Sequence, residues 1–190
     1  MKNNTIKCYG ELISVYVAQS GQILLNMKFK NNMLKTDRIT FTYYGDEPVD
    51  ELQIGNLYEV EGFIVSRNKF IGNKQFKRVQ YFAANKITEA KNPLEAVRDG
   101  EGIKNGFNGY LNGIVIKKFE QNEYTSLVIR TNEQKANYVT VSIKTDRLKT
   151  PIELSDNVSL VYNVAIKMKK DELGKTIRHT SLYISDIQKR

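Results

Sequence analysis

The sequence holds no tryptophan, one cysteine, one histidine and three prolines in 190 residues, and each scarcity closes off a class of function. With Cys8 alone, no disulfide can form within the chain, and one copy cannot assemble a cysteine-based zinc site. Cys8 borders a strand-like run and reads as a small apolar filler. His179 has no cysteine or histidine partner and sits beside Arg178, which makes it a surface residue rather than a metal ligand. There is no P-loop, nucleophile elbow or spaced histidine and carboxylate set. Gly100, Gly102 and Gly106 lack the Gly-Lys-Ser/Thr continuation of a phosphate loop. The expectation is a protein that is not an enzyme and uses no metal and no cofactor. Eighteen apolar residues never follow one another, and MKNNTIKCYG lacks the apolar run of a signal peptide. A cytoplasmic location and no membrane partner follow as expectations.

What the chain does have is positive charge and rings. Lysine and arginine number 29 against 21 acids, a net charge of +8, with eleven tyrosines and eight phenylalanines. Such a balance suits a polyanion partner. The most informative stretch is Tyr58 to Phe82, two strand-like runs joined by a basic hairpin. Tyr58, Val60 and Ile64 alternate with Glu59, Glu61 and Phe63, the period of a half-buried strand. Gly62 interrupts the row, as at a bulge or at the bend of a closing barrel. Arg67, Lys69, Lys74, Lys77 and Arg78 follow with no acid among them, interleaved with Phe70 and Phe76. Five such cations repel one another unless a phosphate backbone neutralises them, and bases can stack on the rings.

Taken in order, strands are expected at Cys8 to Val17, Ile23 to Lys30 and Arg38 to Tyr44, then a connection containing Pro48 and Gly55, then the hairpin. Residues 91–106 change character. Asn92, Pro93 and Glu95 predict the start of a short helix that Gly100 would end, within a connector of zero net charge. Beyond it the first half returns: Gly10 aligns with Gly109, Ile39 to Tyr43 with Val139 to Ile143, Gly72 with Gly174, and Ile87 with Ile187. The spacing stays near one hundred residues, so insertions are confined to turns. The boundaries expected are 1–90, a linker at 91–106, and 107–190. The fold class expected is all-β, two tandem five-stranded OB barrels joined by a linker with a short helix. An SH3-like barrel or half an immunoglobulin sandwich would also give short alternating strands.

VEGFIVSRNKF, from Val60 to Phe70, and the aromatic-glycine pair Tyr44-Gly45 are similar to segments of the bacterial single-stranded DNA-binding protein family. The likeness covers roughly Gly10 to Ile87 and reaches the second half only through the repeat. It implies an OB-fold, Tyr44 as a stacking ring, Phe70 near a stacking aromatic, and Arg67 at a phosphate. Two features depart from the family: Arg38 stands where an aromatic is common, and the chain ends at DIQKR without an acidic tip. The resemblance with that ending points to a phage or mobile-element version, serving replication, recombination or transfer.

The strand reading agrees for Tyr44, which shares an outward face with Arg38, Thr40 and Thr42 while Ile39, Phe41 and Tyr43 turn inward. Candidate phosphate contacts in the first half are Lys28, Lys30, Arg38, Arg67, Lys69, Lys74, Lys77 and Arg78, with Tyr44, Phe70 and Phe76 as stacking rings. In the second half they are Lys117, Lys118, Arg130, Lys144, Arg147, Lys167, Lys169 and Lys170. Phe119 and Tyr124 flank a turn, where they either extend the path or cap the barrel. The expected partner is single-stranded DNA. RNA binding and a protein-interaction adaptor are the alternatives, and a homodimer with four barrels stands beside a monomer.

Overall fold

Alternation decides which side chains turn inward, and the computed structural model of the chain is all-β, as that pattern requires. It describes residues 3–30, 36–72, 75–90, 98–99, 102–103, 106–131, 137–170, 174 and 176–190. The strands are β1 (Asn4–Val17), β2 (Ile23–Lys30), β3 (Thr36–Tyr43), β4 (Leu57–Gly72), β5 (Gln75–Glu89), β6 (Arg98–Asp99), β7 (Gly102–Ile103), β8 (Phe107–Gln121), β9 (Tyr124–Thr131), β10 (Asn137–Lys144), β11 (Asn157–Lys170) and β12 (Thr176–Lys189). Among the described residues one 3-10 turn spans Thr145–Arg147.

The pairings close on themselves. β1 pairs with β2, β2 with β3, β3 with β5 in parallel, β5 with β4, and β4 returns to β1. The same circuit links β8, β9, β10, β12 and β11. Closure removes the unpaired edges that an open sheet would expose. An antiparallel seam of β1 with β8 joins the circuits, running from Asn4↔Leu111 through Ile6↔Gly109 to Cys8↔Phe107.

Inward residues form one continuous core. Leu25, Met27, Ile39, Phe41, Val60 and Ile64 meet in the first circuit, and Leu111, Leu127, Ile129, Val141 and Leu160 in the second. Each such side chain contributes about 1.5–3 kcal/mol on burial. Phe107 joins the two, its ring 5.9 Å from those of Phe29 and Phe82 and 6.2 Å from that of Tyr162. Gly62 is needed where the register between β4 and β5 slips, because a Cβ there would strike the carbonyl of Ala83.

Two expectations change. Asn92, Pro93 and Glu95 lie outside the described residues, but Arg98–Asp99 pairs with Gly102–Ile103 as a two-residue ladder, so no helix runs on to Gly100. The repeat is also shifted at its first strand. Leu12 exchanges backbone hydrogen bonds with Asn56 and Gly55, as Val115 does with Asp156 and Ser155. Gly10 therefore matches Gly113, not Gly109. Both abut a β-strand carbonyl, of Lys28 and of Arg130, where a Cβ would not fit. Close backbone approach fixed those glycines, and a match of letters could not see it.

Candidate nucleic-acid interface

Strand register places a set of side chains on the outer face of each circuit, opposite the core. On the first, one row runs Tyr16, Leu24, Thr42 and Ala83 across β1, β2, β3 and β5. A second runs Ser14, Asn26 and Thr40, tied by hydrogen bonds from Asn26 Nδ2 to Ser14 Oγ (2.8 Å) and from Thr40 Oγ1 to Asn26 Oδ1 (2.6 Å). A third runs Glu11, Lys28 and Arg38. Tyr44 follows directly after β3 and is 57% exposed.

Beside these rows Tyr81, on β5, stands within reach of Tyr44. Burial, then a hydrogen bond with Tyr44, holds the Tyr81 phenol above its ordinary pKa. The Arg67 guanidinium lies 5.1 Å from the Tyr81 ring centroid, a cation–π distance. Two rings and a cation thus form a line that begins just past the end of β3 and ends on the basic hairpin.

The second face repeats the plan with different residues. Phe119, Ser126, Ser142 and Tyr183 form one row, Lys117, Val128 and Thr140 the next, and Ile114, Arg130 and Tyr138 the third. Tyr124 and Tyr183 approach to 5.6 Å between ring centroids, and Lys117 Nζ lies 6.0 Å from the Phe119 ring. Phe119 and Tyr124 thus share this face.

Charge is distributed unevenly. Lys28 is half-buried and ion-paired to Glu11 (2.5 Å), whereas Arg130, in the matching place, faces Ile114 and has no acidic partner among the described residues. Lys144 pairs with Glu123 (3.6 Å) on the second face. Lys118 pairs with Glu153 (3.8 Å) and lies opposite the core residue Leu127, so it is turned away from the rows. Lys30, Arg38, Lys69, Arg78, Lys117, Arg147, Lys167 and Lys170 are exposed. Lys30 donates to Thr36 Oγ1 (3.0 Å), and Arg147 stands apart on the 3-10 turn after β10.

The hairpin divides its own candidates. Arg67 and Lys69 share the face of Tyr81, while Phe70, 58% exposed, alternates to the opposite face with Ser66. The sequence put ring and cations on one arm; the pleat separates them. Lys74 lies outside the described residues, as do the side chains of Phe76, Lys77 and Lys169, whose backbones belong to β5 and β11.

The Phe70 side of the hairpin meets the second circuit. Ser66 N and Oγ both donate to Asn137 Oδ1 (2.7 and 2.8 Å), Asn137 Nδ2 donates to Ile64 O (2.6 Å), and Thr140 N donates to Gln80 Oε1 (2.5 Å). Arg78 stacks over Tyr138, 4.3 Å from its centroid. Tyr16, Tyr81, Tyr138 and Tyr183 were not singled out by sequence. Pairing the hairpin about its turn would have set Arg67 beside Tyr81; the other three needed the sheet order.

Among the described residues no three histidine, cysteine or acidic side chains gather as a metal site, and no helix is long and apolar enough to cross a membrane.

No family model matches the chain, and no curated protein matches it. Solved structures do. The wild-type single-stranded DNA binding protein from Thermus aquaticus matches with a TM-score of 0.64 at 13% identity, over 98% of this chain and 92% of that one. A deletion mutant of the same protein matches with a TM-score of 0.60 at 12% identity, over 98% and 94%. At such identities the likeness establishes the fold: closed five-stranded barrels of the OB type.

Proposed function

We propose that this chain binds single-stranded DNA without reading its sequence, and so covers it during replication, recombination or transfer. The observation that carries the reading is the outer face of each circuit, where exposed rings and cations lie in register on the strands that OB barrels use for oligonucleotides. The similarity in fold to proteins named for binding single-stranded DNA supports it.

The mechanism follows from the side chains. Arg38, Arg67, Lys69, Lys117, Arg130 and Lys167 neutralise phosphates and release counterions, so affinity falls steeply as salt rises. Tyr44, Tyr81 and Phe119 stack bases at about 1–3 kcal/mol each, whatever the base. Neither device reads base edges, which leaves the sequence unread. In this reading residues 1–90 and 107–190 are two tandem OB units, and 91–106 is their linker.

Fluorescence polarisation with labelled oligo-dT, oligo-U and a duplex, each at two salt concentrations, tests the proposal. Tight, salt-sensitive binding to oligo-dT is expected, with weaker binding to the duplex. Preference for oligo-U would move the function to RNA. No binding to any of the three at low salt would reject the nucleic-acid reading and favour a protein-interaction adaptor.

A further inference from the structure

An open groove of about 520 Å³ lies where the two circuits meet. Its walls come from both: Arg38, Thr40, Arg78, Gln80 and Tyr81 from the first, and Thr140, Thr180 and Leu182 from the second. None of the residues lining it is acidic. The floor is apolar, with Ile39, Ile64 and Phe82, while two guanidinium groups stand in the lining. Neither Arg38 nor Arg78 has an acidic partner among the described residues.

We propose that this groove is a nucleotide subsite on the seam, which makes the two outer faces a single track for one strand rather than two independent sites. The inference rests on the proposed binding of single-stranded DNA. Thr40 belongs to the second row of the first face and Thr140 to the second row of the second face, and both line the groove. A strand leaving the first face near Arg38 and Tyr81 therefore enters the groove before reaching Thr140 and Tyr138. Gln80 holds Thr140 across the gap, and Arg78 holds Tyr138, so the two walls keep a fixed spacing. That rigidity matters because linking two subsites raises affinity only when the span between them is set. A base lies against the apolar floor, and the arginines meet the phosphates on either side of it.

The test compares wild type, Arg78→Ala, Arg78→Lys and Gln80→Ala, with two oligo-dT lengths. A strand of about 8 nucleotides stays on one barrel, and one of about 30 nucleotides crosses both. Melting temperature is measured for each variant. Wild type is expected to bind the long strand more than tenfold tighter than the short one. Arg78→Ala should lower affinity for the long strand about fivefold and reduce its salt slope by about one, with a clearly smaller loss on the short strand, and Arg78→Lys should restore the slope. Gln80→Ala, which loosens the walls without removing a charge, should weaken the long strand with an unchanged salt slope. Equal loss on both lengths in Arg78→Ala, or no loss on either, would overturn the subsite. If wild type binds neither strand, the proposed function itself fails, which is a separate result.

Discussion

Arg38 and Tyr138 occupy the same place in the two circuits: Arg38 lies across from Lys28 on β2, and Tyr138 lies across from Arg130 on β9. The face that offers a cation there in one half offers a ring in the other. The exchange recurs at Tyr44, whose counterpart one hundred residues on is Lys144, while Tyr183 adds a ring where the first half has Ala83. Each half keeps both kinds of group but sets them in different rows. Under the proposed function, bases would therefore stack near the hairpin on the first face and nearer β9 and β10 on the second.

Tyr44 is as exposed as Tyr16 on the first face and takes no part in the core. Tyr44→Ala should weaken oligo-dT binding by more than tenfold, consistent with about 1–3 kcal/mol for a lost stacking contact. The melting temperature should hold to within a few degrees. Polarisation titration and thermal unfolding check the two halves of this statement, and a loss below twofold would make Tyr44 a structural residue.

Glu11 neutralises Lys28, whereas Arg130 has no such neighbour among the described residues. Arg130→Ala should reduce the slope of log affinity against log salt by about one, as expected for a lost phosphate contact. Lys28→Ala should change it less. Glu11→Gln frees Lys28 and should tighten binding at low salt. A weaker complex in Glu11→Gln would show that the ion pair positions Lys28 rather than masking it.

The Tyr162 hydroxyl is buried with no hydrogen-bond partner among the described residues, and burial drives its phenol pKa up. Its ring fills the space where a Cβ on Gly109 would project, so the ring is required and the hydroxyl is not. Tyr162→Phe should raise stability by about 1 kcal/mol, the desolvation cost of one unsatisfied group. Urea denaturation measures this, and destabilisation would mean that the hydroxyl is satisfied in solution.

Among the described residues three carboxyls sit below their ordinary pKa. For Glu47 the cause is the Tyr43 hydroxyl and then its own backbone. For Glu59 burial opposes the shift, but hydrogen bonds from Tyr9 and Lys7 outweigh it. For Asp156 the cause is the backbone of Glu153 and then Lys189, 2.7 Å away. Lowered folded values mean that the unfolded chain binds more protons at acid pH. The contribution is complete above about pH 5 and disappears as pH falls through the lowered values. The urea midpoint should be flat from neutral pH to about pH 5 and fall below it, with a shallower fall in Glu59→Gln. A midpoint unchanged down to about pH 3 would contradict the assignment.

The strands of the first half, the glycine bend at Gly62 and the inward set Ile39, Phe41 and Tyr43 were legible because alternation and close approach are local properties of the chain. The exposure of Tyr44 and Arg38 followed from the same rule. Tyr81, Tyr138 and the seam groove were not legible, because they depend on which strands become neighbours. The parallel contact of β3 with β5 and the crossing of the hairpin onto β10 leave no mark on the periodicity of any one segment. Phe70 shows the limit from the other side. Proximity in sequence set it beside Arg67, and the pleat turned it away.

With eleven tyrosines and no tryptophan, the protein's intrinsic emission arises from the same kind of ring that the account places against the bases. Titration with poly-dT at low salt, followed by tyrosine fluorescence, is the most direct test. Emission should fall to a plateau as strand is added and recover when salt releases it, while duplex should leave it nearly unchanged. Emission that stays constant through a large excess of poly-dT at low salt would contradict stacking on these faces.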